Sequence, residues 1–295
     1  MTGTSVTRFF KLSGAGNDFV ALAEPEAPPD REQIAAWCRR GLSVGADGLF
    51  VLRRVAAGSG TTRVAMDHFN ADGGLAELCF NGARCAARLA FHLGWAEDAV
   101  EVATAAGVFR AEAAGRGVVR IEAPVPEHAP EAVHLELDTP PAAGGLGASV
   151  DGWRLMVGVP HLVVVCAQGV AGLDLPRLGP PLRRHPLLGP AGANVDFVAF
   201  PKPDVLELRT WERGVEGETL ACGSGVIAAA RVGLQLGQAS LPLEVRTAGG
   251  QALRLEGTAE GGRPTRWSLV GDARLVAEGT LGNEAGAPQR APTWG

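Results

Sequence analysis

The sequence predicts an α+β protein composed of two halves that share one design. Three observations lead to this fold class. The 295 residues exceed the usual length of one domain, so two domains of ordinary size are expected. Apolar runs typical of strands are mixed with helix patterns along the chain. A segment that begins at Cys79 recurs, without a gap, from Cys222 onwards.

The sequence of the first half predicts four strands and two helices. Asp30 is a suitable cap for the first helix, and Gly94 ends the second. In chain order the elements are a strand over residues 7–12, a glycine turn over 13–17, a strand over 19–22, a helix that reaches residue 40, strands over 49–52 and 64–70, and a helix from 81 or 82 to 93.

The second half follows a segment, residues 123–152, that is rich in Pro, Ala and Gly and predicts a domain junction. Buried strands are predicted over 155–167 and 195–200, an alternating strand over 205–212, and a helix over 225–236. Residues 283–295 are again rich in Pro, Gly and Ala, which predicts a disordered tail.

The internal repeat relates the two cysteine-led helices at a constant offset of 143 residues. The identical pairs are Cys79/Cys222, Gly82/Gly225, Ala86/Ala229, Ala87/Ala230, Arg88/Arg231, Leu93/Leu236, Gly94/Gly237 and Ala96/Ala239. At the same offset, residues 101–107 and 244–250 share Glu, Val, Thr, Ala and Gly at five of seven positions. Because Ala and Gly are abundant in this chain, the Cys, Thr, Glu and Leu matches carry the inference of a duplication.

Composition narrows the classes of function. A formal charge of -5, without runs of Lys or Arg, argues against a nucleic-acid partner. No stretch reaches the roughly 18 to 20 apolar residues of a membrane span, and the N-terminus lacks the apolar core of a signal peptide. Five cysteines, an odd number without tight spacing, favour free thiols in a reducing compartment. We therefore expect a cytoplasmic protein.

Cys79 and Cys222 are the candidate catalytic residues because each precedes a helix. A helix N-terminus presents unpaired backbone N–H groups and a positive dipole end, which favour a thiolate and bind an anion. Inverting a carbon atom without a cofactor needs one acid/base group on each face of the substrate. Two duplicated thiols satisfy that requirement, so the sequence predicts a cofactor-independent amino-acid epimerase or racemase.

The other cysteines are interpreted as structural. Cys38 lies on a helix, Cys166 lies in an apolar strand, and Cys85 has Ala228 as its counterpart in the repeat. No Cys-x-x-Cys occurs, and the six histidines have no metal-ligand spacing with the cysteines, so no metal is expected. The only lysines are Lys11 and Lys202, which limits Schiff-base chemistry.

Seven motifs resemble those of the diaminopimelate epimerase family, in family order and over nearly the whole chain. They are Gly14-Ala-Gly-Asn-Asp-Phe19, Gly45-Ala-Asp-Gly48, Phe69-Asn-Ala-Asp-Gly73, Cys79-Phe-Asn-Gly-Ala-Arg-Cys85, Pro160-His161, Asn194-Val-Asp-Phe197 and Glu212-Arg-Gly-Val-Glu-Gly-Glu-Thr-Leu-Ala-Cys-Gly-Ser-Gly225.

The resemblance implies interconversion of LL- and meso-diaminopimelate, for lysine and peptidoglycan precursor synthesis, without cofactor or metal. It implies two pseudo-symmetric domains, each a β-barrel-like mixed sheet around a central helix, with the site between them. The halves would be residues 1–123, with a returning strand in 266–282, and residues 124–265. It also implies a homodimer.

The resemblance further assigns roles to individual residues. Cys79 and Cys222 would be the acid/base pair, and His161 and Glu212 would tune the two thiols. The remaining residues would bind the amino-acid substrate: Asn17, Asn70, Asn194 and Arg213 through side chains, and Phe80, Asn81, Gly223 and Ser224 through their backbones.

Three positions depart from the pattern. Val159 replaces the asparagine that commonly precedes Pro-His, Phe80 replaces a glycine and is expected to narrow the space beside Cys79, and Gly48 stands where some members have glutamine. Two alternatives therefore stay open: a related two-cysteine racemase that acts on another amino acid, and a relative that keeps the fold for binding alone.

Overall fold

The computed structural model describes residues 7–56, 60–76, 79–137, 147–260 and 263–282. The predicted tail, 283–295, lies outside these residues. The helices are α1 (Arg31–Cys38), α2 (Phe80–His92), α3 (Leu175–Arg183) and α4 (Gly223–Gln235), and Pro186–Leu188 forms a 3₁₀ turn.

Seventeen strands occur in the described residues. They are β1 (Thr7–Gly14), β2 (Asn17–Ala23), β3 (Gly48–Val55), β4 (Arg63–Asn70), β5 (Ala99–Thr104), β6 (Gly107–Gly115), β7 (Val118–Ala123), β8 (Glu131–Glu136), β9 (Ser149–Val157), β10 (Val159–Val165), β11 (Asn194–Lys202), β12 (Val205–Glu212), β13 (Gly217–Thr219), β14 (Leu243–Thr247), β15 (Ala252–Glu260), β16 (Arg263–Asp272) and β17 (Arg274–Leu281).

The strand pairings occur in the same order in the two halves. The pairs β2–β3 and β4–β5 are parallel and are separated by the antiparallel pair β3–β4. In the second half β10–β11 and β12–β14 are parallel and are separated by the antiparallel pair β11–β12. Helices α2 and α4 coincide at the repeat offset. The predicted α+β fold with two pseudo-symmetric parts is confirmed.

Two strands late in the chain, β16 and β17, pair with strands of the first half. Strand β16 is antiparallel both to β15 and to β7, with Trp267 opposite Ala123. Strand β17 is antiparallel to β1, with Leu281 opposite Thr7. The domain boundaries at residues 123 and 265 stay a prediction, and these pairings show where the chain crosses between the two sets of strands.

Helices α2 and α4 occupy the centre of the molecule. Helix α2 packs against β1, β5 and β7, and α4 packs against β9, β10 and β11. Both begin with buried residues, Phe80-Asn81-Gly82 in α2 and Gly223-Ser224-Gly225 in α4. A Cβ atom on Gly223 would lie 2.8 Å from the Cβ of Phe80, so glycine is needed where the two helix starts meet.

Two predicted elements differ in the structure. Residues 155–167 do not form one strand: Gly158, at φ +70°, makes a turn and leaves β9 and β10 as an antiparallel hairpin. Helix α1 ends at Cys38 and not at Arg40, because the carbonyls of Trp37 and Cys38 accept hydrogen bonds from Gly45 and Ala46. Within the described residues, no helix combines the length and the apolar character that crossing a membrane requires.

Candidate active site

A cavity of about 380 Å³ lies where the starts of α2 and α4 meet. Of the twelve site residues predicted from the sequence, eleven line it. They are Asn17, Asn70, Cys79, Phe80, Asn81, Asn194, Glu212, Arg213, Cys222, Gly223 and Ser224. The structure therefore brings residues from both halves of the repeat to one cavity. His161 is the exception and lies behind the cavity wall, buried in the protein.

Cys79 is the residue immediately before α2. Its backbone is extended, and its Sγ accepts a hydrogen bond from the backbone N–H of Gly82 at 3.3 Å. The side chain is partly buried. The thiol thus lies at the positive end of the helix, as the sequence predicted.

Cys222 occupies the matching position before α4. Its backbone is also extended, its side chain is buried, and its Sγ lies 3.4 Å from the hydroxyl oxygen of Ser224. The two thiols are therefore equivalent in local backbone geometry. They differ in the charged groups that surround them.

Burial outweighs the helix N-termini in setting the protonation of the thiols. It raises the pKa of the Cys79 thiol to about 11, although the N–H of Gly82 opposes the rise. Burial also raises the pKa of the Cys222 thiol well above its ordinary value, and Glu212 and Asp196 add to that rise. Burial of the two thiols therefore opposes the thiolate that the helix N-termini favour, and the predicted thiolate stays a prediction.

His161 belongs to a buried chain of hydrogen bonds beside Cys222. Its Nδ1 lies 2.6 Å from a carboxylate oxygen of Asp196, and the hydroxyl of Thr210 donates to the other oxygen at 2.7 Å. Since a carboxylate only accepts, Nδ1 is assigned as the donor. The other ring nitrogen, Nε2, is buried and has no hydrogen-bond partner among the described residues.

Glycine at position 225 makes room for Asp196. A Cβ atom at this position would lie 2.4 Å from Oδ1 of Asp196, so the carboxylate rests directly against the first turn of α4. A negative charge is favourable at a helix N-terminus but raises the pKa of a neighbouring thiol. The surroundings of the two repeat cysteines are therefore asymmetric: Cys222 has Asp196 beside it, whereas Arg84 is the charged group that lowers the pKa of Cys79.

Glu212 is a carboxylate that acts on both thiols. It lines the cavity, and its negative charge raises the pKa of Cys79 and of Cys222. Burial in turn raises the pKa of Glu212 above its ordinary value, while the nearby Thr219 and His161 side chains oppose this. Protonation of Glu212 would remove a negative charge from the surroundings of both thiols.

Asn81 connects the starts of the two helices. Its Nδ2 donates to the carbonyl of Ala221 at 3.0 Å and to Oδ1 of Asn17 at 2.6 Å. Its Oδ1 accepts from the guanidinium of Arg84 at 2.8 Å. Asn17 also donates to a carboxylate oxygen of Asp47 at 3.4 Å. The amide of Asn17, a predicted substrate-binding group, is thereby held from two sides.

The remaining predicted side chains lie on the other walls. Oδ1 of Asn194 accepts a hydrogen bond from the backbone N–H of Arg213 at 2.8 Å, which fixes the turn that carries this arginine. Val159 lines the cavity with its apolar side chain. The ring of Phe80 is buried and lies edge-on against Phe109 at 5.4 Å between centroids, so the ring packs into the core of the first half.

Sequence reasoning did not identify several groups at the site. They are Asp47, His68, Arg183 and Thr219 on the cavity wall, and Arg84, Asp196 and Thr210 behind it. Asp196 had a signal, because a charged residue in an apolar strand needs a buried partner. Arg183 and His68 had none, since each reaches the cavity through strand and helix packing. Among the described residues, no group of three or more His, Cys, Asp or Glu side chains could hold a metal ion.

Solved structures share this fold at low sequence identity. A hydroxyproline epimerase from Agrobacterium vitis superimposes with a TM-score of 0.61 at 16% identity, over 96% of this chain and 94% of that one. A PhzF-family protein from Enterococcus faecalis gives a TM-score of 0.66 at 17% identity, over 94% and 99% of the chains. The fold is thus that of a class of two-part α+β proteins that includes amino-acid epimerases.

Sequence comparison identifies the family within this class. The Diaminopimelate epimerase family model matches residues 9–123 and 154–276. The diaminopimelate epimerase of Gemmatimonas aurantiaca is 35% identical, over 92% of this chain and 98% of the relative. The chain belongs to the diaminopimelate epimerase family and is an isomerase.

Proposed function

We propose that this protein interconverts LL- and meso-diaminopimelate by moving a proton between Cys79 and Cys222 without a cofactor. The observation that carries the proposal is the placement of the two repeat cysteines before α2 and α4 on one cavity. Relatives with similarity along most of the chain are named for this activity. The internal duplication supplies the two matched acid/base groups that inversion requires.

The α-carboxylate of the substrate binds between the two helix starts. Backbone N–H groups of Phe80 and Asn81 face it from α2, and those of Gly223 and Ser224 face it from α4. The first N–H groups of a helix have no intrahelical partner, and the dipole favours an anion there. The same groups stabilise the negative charge that develops when the α-proton leaves.

The proton transfer is symmetric and balanced. The thiolate of one cysteine takes the α-proton, so that its S–H bond forms as the C–H bond breaks. The thiol of the other cysteine then gives its proton to the opposite face of the carbanion and becomes the thiolate. The configuration of the α-carbon is inverted, and the two cysteines exchange their roles as thiol and thiolate.

Glu212 and His161 set the protonation that this transfer needs. Inversion needs one thiolate and one thiol, so one of the two cysteines must be deprotonated before the first step. The Glu212 carboxylate, whose pKa is raised by burial, accepts that proton and at the same time loses the charge that opposed thiolate formation. His161 acts on the Cys222 side through Asp196, to which its Nδ1 is hydrogen-bonded and whose charge raises the pKa of the Cys222 thiol.

The second amino-acid group of the substrate binds away from the thiols. Asn17, Asn70 and Asn194 offer amide donors and acceptors, and Arg213 offers a planar cation that matches a carboxylate. All four line the cavity. A substrate with an ammonium and a carboxylate group at each end fits this distribution of polar side chains.

Val159 favours one alternative. Its side chain is apolar and lines the cavity, so it offers no hydrogen bond to a distal polar group. A related two-cysteine racemase that acts on a different amino acid would suit this wall. A panel of single amino acids, each followed by loss of optical rotation, separates the two functions: turnover of diaminopimelate alone excludes the alternative.

We also propose the physiological setting that the family implies. The product would enter lysine and peptidoglycan precursor synthesis, in the cytoplasm, where five free thiols remain reduced. A homodimer is proposed as the assembly, and sedimentation of the purified protein tests it.

Deuterium exchange tests substrate and mechanism together. Reduced enzyme in deuterated water, without added cofactor, should incorporate deuterium at the α-carbon of LL-diaminopimelate and form the meso isomer. Cys79→Ala and Cys222→Ala should each lower the rate of inversion by at least about 1000-fold, because each removes one of two essential proton carriers.

Cys166→Ala is the matched control for these variants. Cys166 is a partly buried thiol outside the cavity, so its removal should leave inversion within about threefold of the wild type. Failure of the folded, reduced wild-type enzyme to exchange would refute the proposed activity. Full activity of either active-site variant would refute the two-thiol mechanism and favour a binding role for the fold.

A further inference from the structure

His68 is a cavity-lining residue that the sequence did not identify. It lies on β4 on the same face as Met66 and Asn70, because alternate residues of a strand share a face. Met66 reaches the first turn of α2: a Cβ atom on Gly82 would lie 2.9 Å from its Cε and 3.5 Å from Sγ of Cys79. This face of β4 is therefore directed towards the Cys79 side of the cavity.

The absence of a side chain at Gly48 gives the imidazole its position. Gly48 is the first residue of the neighbouring strand β3 and lies opposite Asn70 of β4. A Cβ atom on Gly48 would lie 3.1 Å from Nε2 of His68 and 2.5 Å from the carbonyl oxygen of Phe69. The imidazole thus occupies the space that a side chain at position 48 would enter.

The protein leaves the hydrogen-bonding capacity of this ring unused. Nδ1 of His68 is buried and has no hydrogen-bond partner among the described residues. The ring is held edge-on against Phe19, with 5.5 Å between centroids, so its orientation is fixed by an apolar contact. Burial lowers the pKa of His68 to about 4, which leaves a neutral ring with one donor and one acceptor at neutral pH.

The charges around His68 favour a cationic group of the ligand. Among the cavity-lining residues from the first half of the chain, Asp47 is the only one with a charged side chain. The second half supplies the two arginines of the lining, Arg183 and Arg213, and one carboxylate, Glu212. Asp47 also forms an ion pair with Arg40, which lies outside the lining. A ligand ammonium group is favoured on the wall that carries a carboxylate, and carboxylate groups are favoured opposite it.

We propose that His68 is a substrate-binding residue whose neutral imidazole accepts a hydrogen bond from an ammonium group of the substrate. Gly48 and His68 then act as a pair: the glycine provides the space, and the histidine provides the polar atom. This inference rests on the proposed function, because it requires an amino-acid substrate in the cavity.

Substitution at position 68 tests the contact through KM, measured for LL-diaminopimelate. His68→Leu should raise KM about 10- to 100-fold, the loss expected for one hydrogen bond to a charged group, and should change kcat by less than about threefold. His68→Gln keeps an acceptor and should restore most of the affinity. His68→Lys should raise KM further than His68→Leu, because it places a cation beside the ammonium group.

His92→Leu is the matched control, since His92 lies outside the cavity and the chemical change is the same. It should leave KM within about twofold of the wild type. A wild-type enzyme that turns over the substrate, with unchanged KM in His68→Leu and His68→Gln, would overturn this inference alone. A lower KM in His68→Lys than in His68→Leu would overturn the assignment to an ammonium group. An inactive wild type would overturn the proposed function and the inference with it.

Discussion

The side-chain amide of Asn81 donates a hydrogen bond to the backbone carbonyl of Ala221 at 3.0 Å and so connects the start of α2 to the residue that precedes Cys222. The two residues are 140 positions apart in sequence. Arg84, fully buried, fixes the other end of the amide. The relative position of the two thiols therefore depends on one side chain as well as on the packing of the sheets.

Asn81→Asp should lower kcat/KM by about 100-fold. The substitution keeps the shape of the side chain and its acceptor for Arg84, but it removes both N–H donors and places carboxylate oxygens opposite the acceptors on Ala221 and Asn17. A displacement of about 1 Å in the catalytic groups has an effect of this size. Steady-state kinetics with LL-diaminopimelate measure it.

Arg88→Lys is a suitable comparison for Asn81→Asp, because Arg88 lies on the same helix and outside the cavity lining. It should leave kcat/KM within about threefold of the wild type. If Asn81→Asp has the same small effect while the thermal midpoint is unchanged, Asn81 does not position the helix starts.

Asp196→Asn should make the Cys222 thiol more reactive while it lowers the rate of inversion. Removing the negative charge lowers the pKa of Cys222, so alkylation of this thiol at a fixed pH near 8 should become several times faster. The same change replaces one of the two carboxylate oxygens by an amide NH2, so the side chain no longer accepts at both positions that His161 and Thr210 occupy, and the rate of inversion should fall by about 100-fold. Mass spectrometry of alkylated peptides and the exchange assay give the two readouts.

Thr210→Val distinguishes the charge of Asp196 from its hydrogen bonds. It removes the hydroxyl that donates to Asp196 but leaves the carboxylate in place. Alkylation of Cys222 should then stay close to the wild-type rate. Faster alkylation in Thr210→Val, or slower alkylation in Asp196→Asn, would contradict the electrostatic account.

The fold and the two central cysteines of the site could be predicted from the sequence because each belongs to the internal repeat. The offset that relates Cys79 to Cys222 also relates α2 to α4 and the strands around them. The helix boundaries followed from Gly94 and Gly237, which both adopt positive φ angles. Eleven of the twelve residues predicted from the family motifs line one cavity.

The elements that sequence reasoning missed have local signals that conflict with the tertiary structure. Helix α3 contains Gly179, Pro180 and Pro181, which disfavour a helix, yet it forms because Leu175, Leu178 and Leu182 are buried in the second core. Gly179 is required there, since a Cβ atom would lie 2.3 Å from the indole ring of Trp211. Long-range packing of this kind has no signature in a short sequence window.

The stability of the protein should fall steeply between about pH 9 and pH 11. Burial raises the pKa of all five thiols: that of Cys38, Cys79 and Cys166 to about 11, that of Cys85 further, and that of Cys222 well above its ordinary value. The unfolded chain releases these protons near pH 9, whereas the folded chain retains them. In this window the folded state binds more protons, so the free energy of unfolding decreases as pH rises, by about 1.4 kcal/mol per pH unit for each thiol.

This chain is well suited to the measurement, because it has no tyrosine and only two lysines, so few other groups titrate in the same window. Urea unfolding at a series of pH values gives the slope. Cys38→Ala lies outside the cavity and should reduce the slope by about one proton, whatever its effect on stability at pH 7. A free energy of unfolding that is constant from pH 8 to pH 11 would show that the buried thiols ionise in the folded state, in conflict with the burial that the structure assigns to them.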